Sequence, residues 1–106
     1  MKTPTIIVAF VKAQNDRDIK AVMACFAADA VLQDEGKKML GIAAIREWSD
    51  KDFQKYQVII QPTGVAKSNE KTILTAKLTG NFPSSPISLN FHFAIKDEKI
   101  TALTIQ

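Results

Sequence analysis

The sequence predicts an α+β fold. Two observations carry this. The first half of the 106 residues places apolar side chains at helical spacing, and the second half switches to β-branched and aromatic runs broken by Pro, Gly, Asn and Asp. Helices first and strands after, joined by short links, point to α+β rather than to a doubly wound sheet. A chain of this length forms one domain, residues 1–106, and buries about two-thirds of its unfolded surface, enough for one core.

The first helix starts at Thr3-Pro4, with Thr as cap and Pro at the first helical position, and carries Ile6, Ile7, Phe10 and Val11 on one stripe. Asn15-Asp16 interrupts it, and an Asp caps the second helix, whose stripe is Ile19, Val22, Met23 and Phe26. Asp29 is expected to end that helix. Ala30–Asp34 reads as a short strand stopped by Glu35-Gly36. Gly41 opens a third helical pattern with Ile42, Ile45, Trp48, Ser49, Phe53 and Tyr56 near one side. Strands are expected at Val58–Ile60, Thr72–Leu78, Ile87–Ile95 and Ile100–Ile105, the last three as an antiparallel meander.

Charge and cysteine content exclude several classes. The net charge is +3, and the cations after Phe53 (Lys55, Lys67, Lys71, Lys77, Lys96, Lys99) are scattered without aromatic interleaving, so no nucleic-acid groove is expected. The single cysteine, Cys25, forms no internal disulfide. The apolar run Ile6–Val11 is too short for a signal core, and no run has the length of a membrane span. The expected compartment is the cytoplasm. With one histidine and no acidic metal-ligand spacing, no metal site is expected. The separated turn glycines Gly36, Gly41, Gly64 and Gly80 form no phosphate loop, and no cofactor is expected.

The run Ile87–Ile95 alternates strictly. Ile87, Leu89, Phe91, Phe93 and Ile95 share one face; Ser88, Asn90, His92 and Ala94 share the other. Either face can turn toward the helices, and parity alone leaves both open. If Asn90 and His92 face inward, Leu89, Phe91 and Phe93 form an outward apolar surface suited to a homodimer.

The order Phe10–Asn15, then Asp18–Val31 with its Phe-Ala-x-Asp-Ala ending, then Gly41–Trp48 with Gly-x-x-x-Ile, resembles the nuclear-transport-factor-2-like superfamily. The similar branches are the SnoaL-like and ketosteroid-isomerase-like proteins. Ser88–Phe93 and Lys99–Leu103 are similar to the last two strands of that family, so the resemblance covers almost the whole chain. It implies a cystatin-like cone, a curved antiparallel sheet closed by three helices around a pocket. It also implies a small apolar or carbonyl-bearing ligand, and a homodimer through the sheet.

In ketosteroid isomerases a carboxylate moves a proton beside a carbonyl while a tyrosine and a protonated aspartic acid hold the enolate oxygen, a worked case of pKa tuning. The resemblance places the base on Asp34, the tyrosine position on Phe10 and the second donor on Asn90. Phe10 has no hydroxyl and Asn90 offers an amide in place of the acid. Losing one such donor costs roughly 100-fold in rate, so efficient steroid isomerisation is not expected. Trp48, Tyr56 and His92 complete the expected ligand-binding set.

Overall fold

The computed structural model describes residues 3–34 and 36–106. Helix α1 spans Thr5–Asn15, α2 Ile19–Ala24 and α3 Ile42–Lys55. The strands are β1 Phe26–Asp34, β2 Lys37–Leu40, β3 Ile59–Ser68, β4 Lys71–Thr79, β5 Ile87–Lys96 and β6 Lys99–Ile105. They form one curved sheet of order β2-β1-β6-β5-β4-β3. The β1–β6 pair is parallel, and the other neighbours are antiparallel.

The helix signals act close to where the sequence puts them. Pro4, one residue after the expected cap, takes the N-cap of α1, and its carbonyl accepts from the amides of Ile7 and Val8. Asp18 caps α2, its carboxylate accepting from the Ala21 amide at 3.1 Å. Gly41 enters α3 at φ +86°, in the left-handed region that favours glycine, and its amide donates to the Ala30 carbonyl at 2.8 Å.

Three expectations are corrected. The second helix stops at Ala24, and Phe26 to Asp34 is one strand, so Asp29 lies in β1 and ends no helix. Pairing with β6 on both sides of a register shift, Phe26 opposite Ile100 and Val31–Asp34 opposite Ala102–Ile105, holds Ala27 and Ala28 in the strand against their helical preference. The strand β2 has no signal of its own in the sequence. It carries two lysines and no alternation, and it exists because the chain turns back after Asp34, placing Lys37 opposite it. The strand β3 runs through Pro62 and Gly64, which read as punctuation. Pro62 fits because β3 is an edge strand, and a bulge falls between Pro62 and Gly64.

Asn15 holds that edge. Its amide nitrogen donates to the Ile60 carbonyl at 2.9 Å, and its amide oxygen accepts from the Ile60 N–H at 2.7 Å. One side chain thus satisfies both outward backbone groups of Ile60, as a neighbouring strand would.

The pairing registers fix the sheet faces. On the inner face Asp34, Ile105, Phe91, Leu74 and Val65 line up across five strands, with Leu32, Leu103, Phe93 and Thr72 in the next row. Phe10 of α1 meets Phe93 edge-on at 5.6 Å and Phe26 at 5.8 Å. Phe10 and Phe93 are fully buried and Phe91 is 2% exposed. The apolar face of β5 is therefore the core. Phe91 and Phe93 are enclosed by their own helices and present no outward surface, and Leu89 is half-buried on the same side. The outer face carries the row Gln33, Thr104, His92, Ile73 and Ala66. None of the three helices covers it.

Candidate functional site

Asp34 is the last residue of β1, and its inner row runs from Lys37 of β2 opposite it, through Asp34, to Ile105, Phe91, Leu74 and Val65. Ala30 and Leu32 precede it on the same face, both fully buried, while Asp34 itself is half-buried. The row of apolar side chains thus gives way to the carboxylate of Asp34 and then to Lys37 on the edge strand β2. Trp48 reaches it from α3, its indole Nε1 donating to Asp34 Oδ2 at 3.2 Å. Fully buried Ile45, one turn before Trp48, fixes the helix over the core. An indole N–H bonded to a carboxylate is a charge-assisted contact that fixes the orientation of both groups.

The other expected site residues lie elsewhere. Phe10 fills the centre of the cone between Phe26 and Phe93, so it is core rather than a ligand wall. Asn90 is on the outer face, where its side-chain oxygen accepts from Thr75 Oγ1 at 2.8 Å. His92 is also outside, its Nε2 lying 3.3 Å from the Gln106 amide nitrogen. Both follow from the burial of Phe91 and Phe93, because neighbours along a strand point oppositely. Tyr56 caps the far end of α3, packing edge-on against Phe82 at 6.3 Å with the Lys55 ammonium over its ring at 5.1 Å. There the chain comes close, since a Cβ on Gly80 would lie 2.6 Å from the Tyr56 carbonyl oxygen. Of the six expected residues, Asp34 and Trp48 are the pair in direct contact.

Leu89 and Phe91 are the β5 residues facing Asp34's side, and the family position had pointed to Asn90 between them. The strict apolar alternation of β5 was the signal that could have chosen them. Beside Trp48, Ser49 carries a fully buried hydroxyl with no hydrogen-bond partner among the described residues. An open groove of about 400 Å³ lies on another flank, between α1 and the β3–β4 edge. It is lined by residues including Val8, Val11, Lys12, Asn15, Pro62 and Leu74, and it does not include Asp34.

Among the described residues, no three His, Cys, Asp or Glu side chains gather as a metal-binding group. No described helix is long and apolar enough to cross a membrane. Burial pushes the Cys25 thiol above its ordinary value, with the Lys99 ammonium pulling weakly the other way. The Asp16 carboxylate raises Lys12 by a hydrogen bond and by its charge.

Known proteins of this shape are numerous. A protein of Sinorhizobium meliloti, provisionally named a polyketide cyclase, superposes with a TM-score of 0.94 at 34% identity, over 98% of this chain and 95% of that one. A protein of Catenulispora acidiphila with a ketosteroid-isomerase-like fold, solved with trimethylamine, gives a TM-score of 0.85 at 21% identity, over 99% and 86%. A second protein provisionally named a polyketide cyclase, from Xanthomonas campestris, gives 0.83 at 17%, over 94% and 85%. These last two show a shared fold, which a cystatin-fold protein of Novosphingobium aromaticivorans and an NTF2-like protein of Cytophaga hutchinsonii share as well, with TM-scores of 0.80 and 0.81, each at 14% identity, over 95% of this chain and 94% of the first and over 100% and 93% for the second. No curated protein matches the chain. The SnoaL-like domain matches residues 7–103, nearly the whole sequence, and the chain belongs to that family.

Proposed function

We propose that the chain binds a small, largely apolar, carbonyl-bearing molecule at the rim of the cone and that Asp34 acts on it as a base. The observation carrying this is the Trp48–Asp34 hydrogen bond, which orients a half-buried carboxylate next to an apolar row. The provisional naming of a 34% identical relative as a polyketide cyclase supports the same chemistry.

In the proposed step the carboxylate takes a proton from the carbon next to a carbonyl. The C–H electron pair moves into the enolate, and its negative charge goes to the carbonyl oxygen. The protonated Asp34 then returns the proton to another carbon, giving an isomer, or to the oxygen formed when the enolate carbon attacks a second carbonyl, closing a ring. Neither former donor position serves the enolate oxygen: Phe10 has no hydroxyl, and Asn90 is on the outer face. A substrate with a second carbonyl on the same carbon stabilises its own enolate and does not need that help. The favoured substrate class is therefore a β-dicarbonyl compound rather than an isolated ketone.

The test follows α-proton exchange of ethyl benzoylacetate into deuterated buffer by NMR, with 2-tetralone as the isolated ketone. The keto ester is expected to exchange faster with wild type than with Asp34→Asn, by about 100-fold, the scale of general-base catalysis. Equal rates with the two proteins would overturn the reading. A second reading, a non-catalytic module whose interior is filled, is favoured by the near-complete burial of Phe10, Phe91 and Phe93. It predicts no exchange by either protein.

A further inference from the structure

We infer that the buried hydroxyl of Ser49 donates a hydrogen bond to the second carbonyl oxygen of the ligand, and so selects a β-dicarbonyl compound over an isolated ketone. The inference rests on the reading of the Asp34 end of the sheet as a ligand site.

The first argument is an imbalance within α3. Ser49 is fully buried, and its Oγ is the one buried side-chain polar atom without a hydrogen-bond partner among the described residues. A serine inside a helix can return its hydroxyl to the carbonyl four residues back, here that of Ile45. Ser49 makes no such bond. A buried hydroxyl left unpaired destabilises a fold, and serine is also a poorer helix former than alanine. Alanine would therefore serve packing better at this position. The hydroxyl is a donor that the fold itself does not use.

The second argument is position. Ile45, Trp48 and Ser49 stand at i, i+3 and i+4, so they share one face of α3. That helix packs on β1, β2 and α2. Ile45 is fully buried, and half-buried Trp48 holds Asp34 Oδ2 at 3.2 Å. The Cα atoms of Trp48 and Ser49 are about 3.8 Å apart. The hydroxyl thus belongs to the helical turn that orients the carboxylate, on its core side. Trp48 is the partly exposed member of this face, and a ligand entering beside it meets the carboxylate first and the hydroxyl deeper in.

The third argument is chemistry. The hydroxyl has one hydrogen to give and carries no charge. Along the same stripe Ile42, Ile45 and Phe53 are apolar and belong to the core or pack against it. Asp52 lies three residues on, so a negatively charged acceptor would meet a second carboxylate besides Asp34. A neutral carbonyl oxygen loses little hydration and regains a hydrogen bond there. A β-dicarbonyl compound offers two oxygens, one to take charge when Asp34 removes the proton between them and one for Ser49. An isolated ketone has one oxygen and gains nothing from the hydroxyl.

The test compares affinities for ethyl benzoylacetate and for hexanophenone, a ketone of the same chain length without the ester oxygens, by NMR titration of wild type and Ser49→Ala. The variant is expected to bind the keto ester about 5- to 10-fold more weakly, the effect of one neutral hydrogen bond, and hexanophenone as wild type does. It is also expected to unfold at a higher urea concentration than wild type, because it removes an unpaired hydroxyl from the core. Unchanged affinity for the keto ester overturns the inference, and so does an equal loss for both compounds. A Ser49→Ala protein less stable than wild type overturns it too, since the hydroxyl would then be satisfied within the fold. If Ser49→Ala does not fold, Ser49→Cys, close in shape with a weaker donor, carries the affinity comparison. Proton exchange with Asp34→Asn separates this inference from the reading it rests on. Exchange equal to wild type, with binding weakened in Ser49→Ala, removes the base and leaves the hydroxyl in its role. A wild type that binds neither compound overturns both.

Discussion

The indole nitrogen of Trp48 lies 3.2 Å from Oδ2 of Asp34, joining α3 to the end of β1. Trp48→Phe keeps most of the apolar contact and removes the donor. It is expected to lower stability by about 1.5–3 kcal/mol, the range for a hydrogen bond to a charged group. Asp34→Asn keeps an acceptor oxygen and is expected to lose less. Urea unfolding of the two variants measures both. A Trp48→Phe protein as stable as wild type would mean the bond does not form in solution.

Phe10 gives the sharpest contrast between family position and packing. Its ring touches Phe26 and Phe93 and is fully buried. Phe10→Ala is expected to cost about 3–5 kcal/mol by leaving a cavity. Phe10→Tyr introduces a hydroxyl into an apolar centre and is expected to cost about 1–3 kcal/mol rather than to install an enolate donor. A Phe10→Tyr protein that gains exchange activity at unchanged stability would contradict the filled centre.

Asn15 makes a separate prediction. Its amide satisfies both the N–H and the carbonyl of Ile60 on the edge strand. Asn15→Ala is expected to destabilise by about 1–3 kcal/mol. The Ile60 amide is expected to lose its protection from hydrogen exchange, while amides of β5 keep theirs.

Cys25 sets an alkaline dependence. Burial raises its folded-state pKa above the ordinary thiol value of 9.0. As pH rises through that ordinary value, the unfolded chain releases the thiol proton first, which favours unfolding. Its contribution is therefore present below the ordinary value and declines as pH climbs through it. Cys25→Ala is expected to have a flatter stability profile above that pH than wild type, read by urea midpoints. Parallel profiles would show that the thiol is not protonated preferentially in the fold.

Much of the fold was legible because local and tertiary preferences agree. The helical stripe of Phe10 and the alternation of β4, β5 and β6 both face one core. The rest needed long-range information. Phe26 continues a helical spacing from Val22, and only the parallel partner β6 turns it into a strand. The lysines of β2 carry no strand signal, and the turn after Asp34 creates the strand. For the site, the position of Asp34 was legible from the resemblance, and its contact with Trp48 was not, since two residues 14 apart meet only when α3 folds over β1. Asn90 and His92 depended on which face of β5 turned inward, and the five apolar residues outweighed the two polar ones.

The most direct measurement is the indole ¹H–¹⁵N resonance of Trp48, the only tryptophan, during titration with ethyl benzoylacetate. The account predicts a saturable shift of that resonance in wild type, with small changes at Val8 and Val11 in the groove beside α1. An unmoved indole would contradict it, whether the groove resonances shift instead or nothing shifts at all.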